Sequence, residues 1–292
     1  AFYAGPTALS PEILPGAQSM PELFKRSGYH TALVGKISHT ADGRVYEYNG
    51  RGDGRDEIPN AWTEMSTPYG SWKRGWGIFF AYANGVHRED GTGTKNLIDF
   101  TVEKDTDLPD GQMAEHATTR LHRLAKGDKP FFMGVGFYRP HVPMYASQKW
   151  FDMHPREKIK LPLVRKNDRQ DLSQYAIDLT NLNHVSPTHK WVSEAGQWEH
   201  AVQSYLASVT FADHCLGLVL DALESSDYGK NTIIALFSDH GFHLGEKERW
   251  AKRSLWEDGT RVPIIVTAPG FKKDQRSDRP AELLDVFPTL LE

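Results

Sequence analysis

The chain has 292 residues, of which 39% are hydrophobic and 25% charged with both signs interspersed, a composition that fits a folded protein and excludes a disordered one. Its 34 Lys and Arg against 38 Asp and Glu give a net charge of −4, with no basic block long enough to track a phosphate backbone, so nucleic acid is excluded as principal partner. No run of 18 apolar residues is present, so no membrane span is expected, and the single Cys215 excludes an internal disulfide or a cysteine-based zinc cluster.

The amino end, Ala1-Phe2-Tyr3-Ala4-Gly5-Pro6, lacks the basic segment and apolar core of a signal peptide. Ser19-Met20-Pro21-Glu22 reads as a capping box opening a short helix that Gly28 stops, followed by the apolar strand Thr31–Val34. Residues 41–96 are rich in Gly and aromatics (Tyr46, Tyr48, Trp62, Tyr69, Trp72, Trp76, Tyr82) and read as an ordered surface excursion. Its rings are either packed or offer a face to a sugar.

Asp110 is placed as the N-cap of a second helix whose Met113, Ala117, Leu121 and Leu124 fall on one face. After Gly127 comes a strand over 130–136, and then a polar stretch, 144–195. Trp198, Val202, Tyr205, Val209, Leu216, Val219, Leu220 and Leu223 mark a long amphipathic helix before the strand Thr232–Phe237. A last strand spans Val262–Val266, ended by Ala268-Pro269-Gly270. Continuously apolar strands alternating with helices predict an α/β fold with a mostly parallel central sheet covered by helices on both faces.

In such folds ligands gather beyond the carboxyl ends of the strands. Lys36 and His39 follow the first strand, His141 the second, and Asp239, His240 and His243 the third, with Lys252 shortly after. Asp239 is a hard oxygen donor for Ca²⁺ or Mg²⁺. The lysines can neutralise the oxygens of a tetrahedral anion, and the histidines can donate hydrogen bonds or move protons near neutral pH. The target is then a phosphate or sulfate ester. Taken singly, each residue also has a structural reading. Asp239 can cap the next segment, Lys36 can be a solvated loop cation, His141 a stiff turn residue, and Lys252 can lie over Trp250. Grouping at the strand ends favours the site.

Together the segments resemble the sulfatase family of the alkaline-phosphatase superfamily, most closely its iduronate-2-sulfatase-like branch. The resemblance runs through Leu23–Lys36, from Val102 to Pro143, and from Tyr205 to Gly270. Its most specific pieces are Gly35-Lys36 with His39, Arg139-Pro140-His141, and Ser238-Asp239-His240-Gly241 with Lys252. It implies that Lys36, His39, His141 and Lys252 are catalytic, that Lys36, His141, His243 and Lys252 contact the substrate, and that Asp239 and His240 bind Ca²⁺, in preference to Mg²⁺. It implies a sulfated sugar as substrate, and an exported (periplasmic or extracellular) or lysosomal location.

The family's Cys/Ser-x-Pro-x-Arg motif, whose first residue becomes formylglycine, is absent from these residues, as is its Asp-Asp metal pair. Cys215, with no Pro or Arg at the required offsets, reads as a buried small hydrophobe. Both elements normally precede the Gly-Lys segment. The expectation is therefore a single sulfatase-like domain over 1–292, incomplete at both ends and without its first strand. It should be inactive alone, with formylglycine in an amino-terminal part outside it. The alternatives are a phosphoester hydrolase of the same superfamily and a non-catalytic anion-binding relative.

Overall fold

The computed structural model describes residues 16, 18–37, 58, 60–66, 103–141, 144, 146–180 and 187–292. His39 and, of the aromatic excursion, Tyr46, Tyr48, Tyr69, Trp72, Trp76 and Tyr82 lie outside them. In chain order the elements begin α1 (Met20–Arg26), β1 (His30–Gly35), β2 (Glu64–Ser66), α2 (Pro109–Leu124), β3 (Phe131–Gly136), α3 (Gln148–Asp152), α4 (Gln174–Thr180) and α5 (His189–Glu194). They continue with α6 (Trp198–Glu224), β4 (Ile234–Phe237), β5 (His243–Leu244), β6 (Trp250–Ala251), α7 (Glu257–Thr260), β7 (Ile264–Thr267) and α8 (Val286–Thr289). Two compact units result: Ala1–Glu157 with Gln203–Ser226, and Lys158–Val202 with Asp227–Glu292.

In the first unit β1 lies between β2 and β3, parallel to both, with Ala32 opposite Glu64 and His30 opposite Phe131. The Ser19 hydroxyl caps α1 by accepting from the Glu22 N–H at 3.3 Å, and Gly28 (φ +93°) ends the turn beyond it. Successive strand residues face opposite sides. Leu33 packs with Ile58, Ala61 and Trp62, while Val34 packs with Met113, Ala117, Tyr138 and Val219. Both faces of β1 are therefore covered, as its continuous apolarity requires.

The predicted face of α2 is buried at Met113, Ala117, Leu121 and Leu124. Its N-cap, however, is Leu108, and Asp110 is the second helical residue rather than the cap. On α6 the buried stripe runs through Ser204, Ala207, Ser208, Phe211, Cys215, Val219 and Ala222, and Val209, expected inside, is 38% exposed. Small side chains on the inner face bring the helix close to its neighbours, so bulk alone misplaces the centre of the stripe. Ala207, Phe211 and Cys215 pack with Leu108, Ala114, Ala146 and Phe151. By length and a mean hydropathy of 1.4 over its best window, α6 could cross a membrane. It is the packing of this inner face, not composition, that makes it a core helix.

In the second unit β4 pairs with β7, Ala235 opposite Val266, and β5 with β6, His243 opposite Ala251; both pairs are antiparallel. The last predicted strand thus runs against its neighbour, not along it. Residues 238–263 hold the short β5–β6 ribbon and the single turn α7, with no long helix to carry the chain back for a parallel return.

Candidate functional site

In the first unit, two glycines set where Lys36 emerges. A Cβ on Gly35 (φ +81°) would lie 2.1 Å from the Gly136 oxygen, and one on Gly136 would lie 1.7 Å from the Lys36 oxygen. Only glycine permits this approach. The Lys36 N–H donates to the Gly136 oxygen at 2.9 Å, and its ammonium stands 5.9 Å from the centre of the Tyr138 ring.

His141 closes the turn after β3, its N–H donating to the Tyr138 oxygen at 2.7 Å across the cis Arg139–Pro140 bond. Asp110 holds that turn. Its Oδ1 accepts from the backbone N–H groups of Tyr138 (2.5 Å) and Arg139 (3.0 Å), and its Oδ2 is 3.6 Å from Arg139 Nε, with both side chains fully buried. Burial pushes the Asp110 carboxyl above its ordinary range, against the pull of Arg139 and the two amides. Sequence reasoning missed this residue as a site element, because an Asp in a first helical turn carries the same signal whether it caps or reaches elsewhere.

In the second unit the segment after β4 folds tightly. The Ser238 hydroxyl donates to the His240 oxygen at 2.8 Å, and the Gly241 N–H to the Gly259 oxygen at 3.0 Å. A Cβ on Gly241 would meet the Asp258 oxygen at 2.1 Å. His240 Nδ1 is 2.8 Å from the Gly241 carbonyl oxygen, which can only accept, so the network assigns the proton to Nδ1. Nε2 then carries the lone pair and accepts from the Lys252 ammonium at 2.8 Å. The same Nε2 lies 3.6 Å from Asp239 Oδ2, whose side chain is 56% exposed.

Lys252 itself sits between Ala251 and Arg253, both left-handed at φ +68°. Each such non-glycine residue costs about 1–2 kcal/mol, which surrounding structure must offset. Part of that support is the buried Arg249 guanidinium, which donates to the Lys252 oxygen at 2.6 Å and reaches the Arg253 oxygen at 3.5 Å. The left-handed pair carries no glycine signal, so nothing in the sequence announces it.

His243, expected among the substrate contacts, has no exposed surface. Its Nε2 is bonded to the Ser254 hydroxyl at 2.6 Å, and Nδ1 lies 3.9 Å from Asp258 Oδ2. Burial lowers its pKa, as does the Arg249 charge, while Asp258 opposes the shift. In this arrangement it braces the loop. Cys215 is buried in the α6 cluster, and burial pushes its thiol far above the ordinary range, so it is no nucleophile.

Lys36 and His141 thus belong to the first unit, while Asp239, His240, His243 and Lys252 belong to the second. Among the described residues no group of three His, Cys, Asp or Glu could hold a metal. Asp239 Oδ2 and His240 Nε2 nevertheless suit two positions of a larger ligand set. Asp239 Oδ2 is an exposed oxygen donor, and His240 Nε2, 3.6 Å away, can turn its lone pair to a metal only when the Lys252 ammonium that now donates to it moves to another acceptor.

The sulfatase family model matches residues 3–292. A sulfatase of Formosa agariphila is 38% identical over 284 residues, 94% of this chain and 51% of its own length. The iduronate 2-sulfatase of Mus musculus is 32% identical over 265 residues, covering 86% of this chain and 45% of its own. Among solved structures, the phosphonate monoester hydrolase of Silicibacter pomeroyi aligns with a TM-score of 0.65 at 20% identity, over 94% of this chain and 57% of that one, a likeness of fold. The chain spans about half the length of the curated relatives it matches.

Proposed function

The chain belongs to the sulfatase family, whose members hydrolyse sulfate esters, and we propose that it forms part of an enzyme that releases sulfate from a sulfated carbohydrate. Lys36, His39, His141 and Lys252 are the residues proposed to engage the sulfate. A sulfate monoester carries its negative charge on three outer oxygens, and fixed cations aimed at them stabilise the charge that shifts to the leaving oxygen. Asp239 and His240 are proposed as ligands of a divalent cation, His240 through the Nε2 lone pair that Lys252 would release on turning to the sulfate. Ca²⁺ is favoured over Mg²⁺ because its six to eight positions tolerate an irregular, partly hydrated set. When bound, such an ion supplies Lewis-acid polarisation of a substrate oxygen.

The observation that carries this reading is the contact of Lys252 Nζ with His240 Nε2 at 2.8 Å, beside the exposed Asp239 carboxylate. It puts an ammonium, a neutral imidazole and a carboxylate in one patch just beyond β4. His243 is assigned the role of bracing this loop rather than touching substrate, in keeping with its burial. A sugar substrate is supported by the iduronate 2-sulfatase relative, iduronate being a sugar acid.

The 292 residues contain no Cys/Ser-x-Pro-x-Arg motif, so the side chains present can bind an anion but supply no aldehyde hydrate to attack sulfur. Activity should be measured on a protein in which this chain is joined to a formylglycine-bearing segment, against 4-nitrophenyl sulfate and sulfated sugars. There Lys252→Ala should lower kcat/KM by about 10²–10³-fold, the effect of removing one charge-stabilising group. Undiminished turnover by that variant, or a preference for phosphate over sulfate esters, sinks the assignment. Sulfatase turnover by the 292-residue chain alone sinks the statement about the nucleophile.

A further inference from the structure

A second cationic feature of the second unit is tied to the loop that carries Lys252. Residues 165–168 form a turn, the Asp168 N–H donating to the Arg165 oxygen at 3.3 Å with Asn167 at φ +69°. Two crossed ion pairs fasten it. Asp168 Oδ1 meets Lys247 Nζ at 2.9 Å, and the Arg169 guanidinium pairs with the Glu248 carboxylate. Lys247 and Glu248 are themselves left-handed, at φ +55° and +53°, so this stretch is held in one uncommon conformation. Next to them Arg249 donates to the Lys252 oxygen. The turn at 165–168 and Lys252 are thereby anchored through three consecutive residues, 247–249.

The four charges of the crossed pairs cancel. Arg165 and Lys166 remain: both are exposed, and among the described residues no ion pair engages their side chains. The extended run before them continues the same character. Lys158 and Lys160 are exposed with Leu161 and Leu163, the last 87% exposed, while Ile159, Pro162 and Val164 are half-buried. A solvated basic face has no need of a clamp, and holding three long side chains and an Asp in fixed pairs costs rotamer entropy. Cations interspersed with exposed leucines also suit a particular chemistry, that of sugar rings with apolar C–H faces and pendant anionic groups. Inorganic phosphate would use the cations and leave the leucines unexplained.

We propose that the turn bearing Arg165 and Lys166, clamped by Asp168–Lys247 and Arg169–Glu248 to the Lys252 loop, is a subsite for a second anionic group, sulfate or carboxylate, on the same sugar chain whose sulfate ester Lys252 engages. The proposal rests on the sulfatase reading above and makes the substrate an oligosaccharide with more than one negative charge. The clamp ties both anion positions to one backbone segment, residues 247–249, and such a tie is what would let the subsite choose among sulfation patterns.

The test pairs binding with turnover. Binding of a heparin tetrasaccharide to the 292-residue chain is followed by calorimetry for the wild type and for Arg165→Glu with Lys166→Glu. In the formylglycine-bearing protein, kcat/KM is compared for a sulfated oligosaccharide and for 4-nitrophenyl sulfate, which has no second anion. Expected are a tenfold or greater rise in the tetrasaccharide Kd and a tenfold or greater fall in the ratio of kcat/KM for oligosaccharide over aryl sulfate. Unchanged tetrasaccharide binding, or equal loss on both substrates, overturns the subsite. If the wild type turns over neither substrate while tetrasaccharide binding still depends on Arg165 and Lys166, the sulfatase reading fails and the anion-binding turn stands. Asp168→Asn with Arg169→Met, which release the turn and leave Arg165 and Lys166 in place, should also lower the ratio; no change there overturns the role of the clamp.

Discussion

The turn at Tyr138–His141 and the loop at 249–253 present candidate ligands in opposite electrostatic senses. In the first, a buried carboxylate, Asp110, accepts from two backbone N–H groups. In the second, a buried guanidinium, Arg249, donates to the successive backbone carbonyls of Lys252 and Arg253. Each places one interior charge against backbone dipoles to fix a neighbouring side chain, His141 or Lys252. The two clamps differ in what they hold: the second holds a backbone with left-handed residues at Ala251 and Arg253. A carboxylate clamp therefore satisfies buried donors, whereas the guanidinium clamp also restrains strain.

The largest effect is expected from Asp110→Ala. It strips two buried N–H groups of their acceptor and takes from Arg139 the carboxylate 3.6 Å from its Nε, a loss of about 3–5 kcal/mol for breaking a buried pair. Asp110→Asn keeps a carbonyl acceptor and should cost markedly less. Urea unfolding of the two variants measures both. A cost for Asp110→Ala no greater than that of a surface change, about 0.5 kcal/mol, breaks the comparison at its first term.

Arg249→Met ranks next. Charge-assisted hydrogen bonds contribute about 1.5–3 kcal/mol each, and the apolar stem is retained, so a loss of about 1–3 kcal/mol is expected. The contrast is sharpened by what accompanies that loss. Once the restraint is gone, the left-handed residues can relax, and amides of 250–254 should lose hydrogen-exchange protection beyond the global change. Uniform loss of protection across the second unit would show that Arg249 is packing and nothing more.

The legible parts of the fold are those written within one turn or one strand. The Ser19 cap, the inner face of α2, and β1 and β3 follow from local spacing. Asp110 was legible only as a helix-start residue, since its partners lie 28 and 29 residues away on a different element. Lys252 and His240 meet across 12 residues because the β5–β6 ribbon doubles the chain back, and neither two-residue strand has a hydrophobic period long enough to detect. The residue types for the chemistry were visible at the strand ends. Their burial was not, and it is burial that separates His243, enclosed, from His240 three positions earlier. The antiparallel β7 was missed because apolar strands carry no sign of direction.

The smallest expected effect is a pH dependence that falls on one unit. His243 and His189, both of the second unit, are held below the ordinary histidine pKa of 6.5, chiefly by burial. In the unfolded chain they regain that ordinary value, so the unfolded state binds more protons as the pH drops. Their contribution to stability is fully present above pH 6.5 and is lost as the pH falls through their folded pKa values, by at most about 1.4 kcal/mol per pH unit for each. Asp110, in the first unit, has the opposite sign. Its folded pKa is raised above 3.8, so the folded state takes up the proton first and gains stability on acidification. Glu64 and Asp105, held below 4.5 and 3.8, lose their contributions only in more acid solution. Between pH 7.5 and 5.5, then, hydrogen exchange should show amides of the second unit losing protection ahead of those of the first. His243→Asn should reduce the pH slope of the urea midpoint although it lowers the midpoint itself. An unaltered slope in that variant would mean that the enclosed imidazole is not what acid attacks, and the distinction between the two units would then rest on backbone clamping alone.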